Sequence, residues 1–279
     1  MKNHVTLLKL GGAVITNKEI PESIRTDVLD RLIGEIARAR KEKEFLLVLG
    51  NGAGSFAHVP ASRYKTLDGF IHEESKMGMA ITQDAAARLN REVVTTCLTH
   101  GLPALTLAPS NSLVTDHKQA KTWFSEVFEE YLRKGMLPVT YGDVLIDQSQ
   151  GCTIWSTDKV FSFFAKEFEQ RGWEVDEIIH VTEAEGVWTQ SDPQSITEKQ
   201  SQKKEIYTKI TPEMTEEVKS AMTDTKGFDV TGGMWHKIEE ALSLTELGIT
   251  TRIISGIIPN NLYKVLLGDT SIGTQITRV

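Results

Sequence analysis

Residues 45–61 read FLLVLGNGAGSFAHVPA, and the change of character inside that stretch limits what the chain can become. Phe45 to Leu49 is an uninterrupted apolar run, which suits a strand buried on both faces of a parallel sheet. The run stops at Gly50-Asn51-Gly52-Ala53-Gly54-Ser55, where side chains almost vanish and backbone N–H groups can approach an anion closely. A small-residue loop after a buried strand is the usual setting for a phosphate cradle. It describes a plain strand-to-helix turn equally well. His58 is the first ionisable side chain after the loop, and an imidazole can donate a hydrogen bond to a phosphate oxygen.

Composition narrows the partners. Acidic residues outnumber basic ones, 38 to 31, and no basic run appears, which argues against a nucleic-acid backbone. Cys97 and Cys152 lie far apart in apolar surroundings and read as core residues of a reducing compartment. Lys9 and two glycines interrupt the apolar stretch near the N-terminus, so no signal peptide is expected. No apolar run approaches the length of a membrane span. A soluble cytoplasmic protein is the expectation.

Periodicity then sets the fold class. Ile24, Val28, Leu32 and Ile36 recur every four residues, which predicts an amphipathic helix packed on a sheet. Ile81, Ala85, Leu89, Val93 and Cys97 predict a second helix over 81–98, with Gly101 as its stop. Strands are expected over 102–108, 137–141 and 177–182, and helices over 123–133 and 157–171. Residues 144–147 and 151–155 read as a hairpin, and 190–204 as an exposed polar loop. The tail predicts a helix over 233–247, a strand over 251–255, a short helix after Pro259 and a strand over 272–277. Alternation of this kind makes an α/β fold, a three-layer αβα sandwich around a mainly parallel central sheet.

Lysines beside glycine turns recur at both ends of the chain. Val5 to Leu10 is another buried-strand pattern, closing in Lys9-Leu10-Gly11-Gly12-Ala13, and Lys18 follows in Ile15-Thr16-Asn17-Lys18. Downstream comes Asp229-Val230-Thr231-Gly232-Gly233-Met234, with Lys237 four residues after Gly233. Each lysine alone is usually a solvated charge, and each glycine pair a simple turn. Taken in order, these segments resemble the amino acid kinase superfamily, most nearly its isopentenyl phosphate kinases. That pattern is a KxGGS-like opening, an ITxK segment, a GAGSFxH loop, a GD pair and a TGGMxxK element. The chain answers with Lys9 to Ala13, Ile15 to Lys18, Gly52 to His58, Gly142-Asp143 and Thr231 to Lys237, so the resemblance spans nearly its whole length.

The resemblance implies ATP-dependent phosphorylation of isopentenyl phosphate, with Mg2+ accompanying the nucleotide and no dedicated protein site for the metal. It implies catalytic roles for Lys9, Lys18, His58, Asp158 and Lys237, with Asp158 organising the lysines. The alternative for Asp158 is a helix cap. ATP would lie on Lys9, Leu10, Gly11, Gly12, Ala13, Gly54, Glu183, Gly186, Gly233 and Lys237. The acceptor would meet Ala53, Gly54, His58 and Thr157. Residues 1–176 would form an acceptor lobe and 177–279 a nucleotide lobe on one continuous sheet, in a homodimer. A phosphonate kinase like fosfomycin kinase, a carboxylate kinase and a non-catalytic nucleotide sensor are the alternatives. Asn51, Ala57 and Thr157 stand where the family often has His, Gly and Gly, and Thr157 is expected to crowd the acceptor. Glu183 and Glu185 replace aspartates of the family's nucleotide loop. Met77, Met79, Ile81 and Ala85 read either as a wall for the acceptor's hydrocarbon or as a core helix face. Asp143 reads as a second site-lining or structural acid.

Overall fold

The apolar runs at 5–10 and 45–49 become the middle of a sheet. The computed structural model describes residues 3–189, 205–223 and 233–278. Strands β1 (Asn3–Leu10) and β2 (Leu46–Asn51) pair in parallel, setting Lys9 beside Gly50 and Leu10 beside Asn51. Between them run the single turn α1 (Gly12–Ile15) and helix α2 (Thr26–Glu42). Leu29, Leu32, Ile33 and Ile36 of α2 are buried against the sheet, whereas of the predicted stripe Val28 is half-buried and Ile24 precedes the helix in a bridge to Thr16.

After β2 come α3 (Gly54–Arg63) and the long α4 (Ser75–Thr99), then β3 (Ala104–Thr106). The expected strand at 102–108 is thus shorter than its apolar pattern. A hairpin of β4 (Leu113–Asp116) and β5 (Gln119–Trp123) precedes α5 (Glu126–Arg133). The helix expected from 123 therefore starts later. Trp123 is held in the hairpin opposite Leu113, and its ring stacks on Phe164 at 4.9 Å. β6 (Leu137–Tyr141), β7 (Asp143–Asp147) and β8 (Gly151–Trp155) follow, and β7–β8 is the predicted hairpin. It joins β4 and β5 in a separate four-stranded sheet.

Helix α6 (Thr157–Gln170) feeds β9 (Trp173–Thr182). Short pieces β10 (Val187–Trp188), β11 (Ile206–Tyr207) and β12 (Lys209–Ile210) lead to α7 (Thr215–Thr223). The chain ends in α8 (Gly233–Thr245), β13 (Thr250–Ser255), α9 (Asn261–Leu266) and β14 (Thr274–Ile276). The predicted loop at 190–204 and the motif residues 229–232 lie outside the described residues.

The main sheet has eight strands in the order β12-β14-β13-β9-β1-β2-β6-β3. From β13 to β3 all pairings are parallel, and β14 runs against β13. One core layer packs α2, α4 and α9 on the sheet; the other packs α5, α6 and α8. This is the three-layer αβα sandwich. Residue 177, where the second lobe was expected to begin, lies inside β9, whose ladder with β1 starts at Trp173. That ladder carries one irregularity. Val5 pairs with Val175 and Thr6 with Glu177, so Asp176 is an extra residue in β9.

Two glycines separate backbone strain from contact. Gly101 ends α4 at φ +75 with nothing within 4 Å of where a Cβ would stand. Gly54 has φ +52, and a Cβ there would lie 2.2 Å from Thr16 Oγ1. Left-handed backbone costs a Cβ-bearing residue about 1–2 kcal/mol. In urea denaturation, Gly101→Ala is expected to lose about that amount and Gly54→Ala several times more. Equal losses would mean that the Thr16 contact yields freely.

Candidate active site

The crevice forms where β1 has β2 on one side and β9 on the other, because the chain leaves β1 in one direction and returns in the other. Three strand ends are stitched together there. Gly11 N–H donates to Val181 O at 2.8 Å and Gly52 N–H to Leu10 O at 2.9 Å. A Cβ on Gly12 would lie 2.3 Å from Gly54 N, and one on Gly52 would lie 2.7 Å from Gly12 N. The two glycine loops thus pack backbone on backbone. Thr16 clips them, its hydroxyl donating to Gly12 O at 2.7 Å and accepting from Ser55 N–H at 3.0 Å.

The charged centre is built on α6. Ser156 caps that helix, its hydroxyl accepting from Lys159 N–H, so Asp158 sits in the first turn. The Asp158 side chain does not serve as the cap. Its Oδ1 takes Lys9 Nζ at 2.5 Å and its Oδ2 takes Lys237 Nζ at 2.9 Å. His180 Nδ1 is 3.2 Å from the same Oδ1, though without hydrogen-bond geometry. Burial alone would raise the Asp158 carboxyl, but Lys9, His180 and Lys237 outweigh it and hold the group well below its ordinary range. Burial lowers Lys9, with Asp158 pulling the other way. Burial also lowers His180, so the imidazole is neutral at pH 7. Glu240 of α8 is raised by burial and by Asp158, and accepts from Ser162 Oγ at 3.2 Å.

A cavity of about 550 Å³ opens over this centre, and Lys9, Lys18, His58, Asp158 and Lys237 all line it. Gly11, Gly12, Ala13, Ala53, Gly54, Thr157 and Glu183 line it too. Leu10 instead faces the core, and Gly186 packs against Thr274 and Ile206. Gly233 heads α8, whose Met234 and Lys237 reach the cavity. Thr157 donates its hydroxyl to Asn51 O at 2.7 Å, which anchors the side chain to the end of β2. Below that loop, Asn90 donates to Asn51 Oδ1 at 2.9 Å and accepts from Thr106 at 2.7 Å.

Met77, Met79, Ile81 and Ala85 do not line the cavity. Met77 and Ile81 face solvent, and Ala85 packs among Ala57, Ala86, Ala108 and Tyr141. From α4 it is Thr82 that reaches the cavity, and the apolar lining includes Val14, Ala53, Ala57, Ala61, Ile154, Trp155 and Met234. Ile154 and Trp155 are placed by β8, the second strand of the β7–β8 hairpin, and no motif marks that strand. His180 was also missed in the sequence; its one signal is a polar residue inside the apolar run 178–181. A larger hollow of about 730 Å³, lined by His4, Arg40, Phe45 and Pro103, carries none of the motif residues. Among the described residues no group of His, Cys, Asp or Glu could hold a metal ion by itself.

A model of the amino acid kinase family matches residues 4–255. The chain belongs to the amino acid kinase family. It is 31% identical to the isopentenyl phosphate kinase of Methanocaldococcus jannaschii, over 98% of each chain. It is 31% identical to that of Methanothermobacter thermautotrophicus, over 97% of this chain and 98% of the relative. A solved isopentenyl phosphate kinase superposes with a TM-score of 0.79 at 30% identity, covering 98% of this chain and 100% of the other.

In this amino acid kinase family member the loop bearing Lys18 is tied down at two points. Arg88 of α4 pairs with both carboxylate oxygens of Glu22, and Arg25 pairs at 3.1 Å with Glu183, a residue of the cavity lining. Asp143 does not line the cavity. Its oxygens accept from Ser110 N–H at 2.9 Å and Val144 N–H at 2.8 Å, which organises the turn after β3. Burial pushes its carboxyl up to about 6 against those hydrogen bonds. An unfolded carboxyl titrates near 4. The folded value is the higher, so this contribution to stability is complete below about pH 4 and lost as pH rises through about 6. The window is worth on the order of 3 kcal/mol. Asp143→Asn, which cannot ionise, is expected to flatten that part of the stability–pH curve in urea denaturation. An unchanged slope would give the carboxyl an ordinary pKa.

Proposed function

We propose that this protein transfers the γ-phosphoryl group of ATP to isopentenyl phosphate, giving isopentenyl diphosphate and ADP. The observation that carries the reading is one cavity lined at once by the Lys9–Asp158–Lys237 cluster, the paired glycine loops and His58. The chain's similarity to isopentenyl phosphate kinases supports the choice of acceptor over a phosphonate or carboxylate.

Phosphoryl transfer needs positioning and charge neutralisation more than covalent help. An oxygen of the acceptor's phosphate attacks the γ-phosphorus, the bond to the β-phosphate oxygen breaks, and ADP departs with that electron pair. Lys9 and Lys237 neutralise charge on the moving group, and Asp158 gathers their ammoniums in place until it arrives. Lys18 adds a cation from the tied loop. Gly11, Gly12 and Gly54 bring backbone close to the phosphates. His58 donates to the acceptor's own phosphate, and Ala53 and Thr157 border it. The small apolar lining from Ala57, Ala61, Ile154 and Trp155 suits a branched five-carbon chain. Glu183 and Gly233 belong to the nucleotide side. Mg2+ bound by the phosphates would offset their charge. Residues 1–176 act as the acceptor lobe and 177–279 as the nucleotide lobe.

We also propose a cytoplasmic homodimer, supported by family resemblance. Among the described residues no helix is long and apolar enough to cross a membrane. Light scattering that gives a monomer mass at micromolar concentration would remove the dimer.

ATP turnover with isopentenyl phosphate, set beside fosfomycin, acetylglutamate and no acceptor, tests the reaction. The first is expected to exceed the others clearly, and a faster alternative acceptor would overturn the assignment. Lys237→Ala is expected to lower kcat by about a hundredfold, on the order of 3 kcal/mol, with the melting temperature read alongside. His58 is exposed on α3, so His58→Ala should leave folding intact while kcat/KM for the acceptor falls. His58→Gln, which keeps a donor, should lose less. Wild-type turnover in a folded His58→Ala protein would sink the phosphate-acceptor reading.

A further inference from the structure

The catalytic reading sets one carboxylate between two ammoniums, yet a third basic side chain reaches the same oxygen. His180 on β9 pairs directly with Lys9 on β1, so both side chains leave the sheet on one face. The residue is 6% exposed. Its Nδ1 lies 3.2 Å from Asp158 Oδ1, the oxygen that also takes Lys9 Nζ. That contact misses hydrogen-bond geometry, and Nδ1 has no other hydrogen-bond partner among the described residues. Packing alone gives no reason to bury such a nitrogen, since a phenyl ring would fill the space without leaving a polar atom unpaired.

The arrangement makes sense once phosphate arrives. Oxygens of a transferring phosphoryl group compete with Asp158 for the Lys9 ammonium. As Lys9 turns to them, Oδ1 is left in a buried site without its donor, and His180 Nδ1 is already within reach. We propose that His180 is a positioning residue for phosphoryl transfer: in its Nδ1–H tautomer it donates to Asp158 Oδ1 and holds the carboxylate while Lys9 serves the moving group. The proposal rests on the kinase reading above, which gives Lys9 and Asp158 their roles.

The imidazole works uncharged. Lys9 on β1 and Lys237 on α8 already oppose the single charge of Asp158 on α6, with Glu240 of α8 as the neighbouring acid. Burial lowers the imidazole's pKa, with Asp158 pulling partly back. Protonation would set a third cation against Asp158 and loosen its hold on the lysines.

Two measurements on the full chain test this. Histidine 15N spectra at pH 7.5, with the His180 signal assigned by its absence in His180→Asn, read the tautomer without turnover. The Nδ1–H form is expected; the Nε2–H form or an imidazolium overturns the proposal. Steady-state kinetics with ATP and isopentenyl phosphate then compare His180→Phe and His180→Asn, with melting temperatures. The phenylalanine variant is expected to lower kcat at least about tenfold while KM for both substrates stays within about threefold. The asparagine variant, whose side-chain N–H reaches nearly as far as the ring Nδ1–H, is expected to recover most of that loss. Undiminished kcat in a folded His180→Phe protein, or equal losses in both variants, overturns the proposal. If the wild type does not phosphorylate isopentenyl phosphate, the proposed function fails instead, and the tautomer still decides the contact.

Discussion

Two ammonium groups stay charged inside a protein only when something negative stands between them, and here that is the Asp158 carboxylate. The end of β1, the first turn of α6 and the first turns of α8 must converge for the contact to exist. Such a pair adds little to stability, since desolvation offsets most of the attraction. Its value is positional. In the proposed reaction this would bring both lysines to the site before the phosphates arrive, leaving only a short turn of the ammonium for the moment of transfer.

The same economy of space governs the neutral part of the site. Gly12 and Gly54 meet with no side chain between them, and Gly50 lies against Phe161 and Thr157. These contacts let two loops from separate strands act as one surface of backbone amides. Thr16 and the Asn51–Asn90–Thr106 chain of hydrogen bonds fix that surface from either side. Buried polar groups of this kind rigidify a loop because each has a partner.

Much of this was legible in the sequence because the signals are local. The apolar runs of β1, β2 and β6, the stripe of α2 and the glycine stop of α4 each follow from neighbours a few residues apart. Lys9, Asp158 and Lys237 could be named from motifs, but nothing in their spacing states that one carboxylate bridges both lysines. The two readings of Met77, Met79, Ile81 and Ala85 stayed open because helical spacing on α4 cannot tell a cavity face, a core face and a solvent face apart. Met77 and Thr82, five residues apart on α4, lie on different faces of the helix, and only the packing of α3 and the strand ends decides which face meets the cavity. The β4–β5 hairpin was hidden because its second strand is mostly exposed and so lacks an alternating pattern. Ile154 and Trp155 were lost with it, since their place over the site depends on how that small sheet assembles.

The extra residue in β9 has a consequence for the chemistry. Trp173 and Val175 face the core layer of α5 and α6, and so do Ile178 and, further on, His180 beside Lys9. Strict alternation from Trp173 would put Glu177 and Ile179 on that face instead. A regular ladder from Val5 would then set Ile179 next to Lys9 and turn His180 to the opposite layer. Asp176, standing out of the ladder 2.7 Å from His4, resets the count. The strand can therefore keep its aromatic anchor at one end and its polar tip at the other, although the chain between them is one residue too long for both. Length errors are absorbed at the solvent end, and the reacting end never registers them.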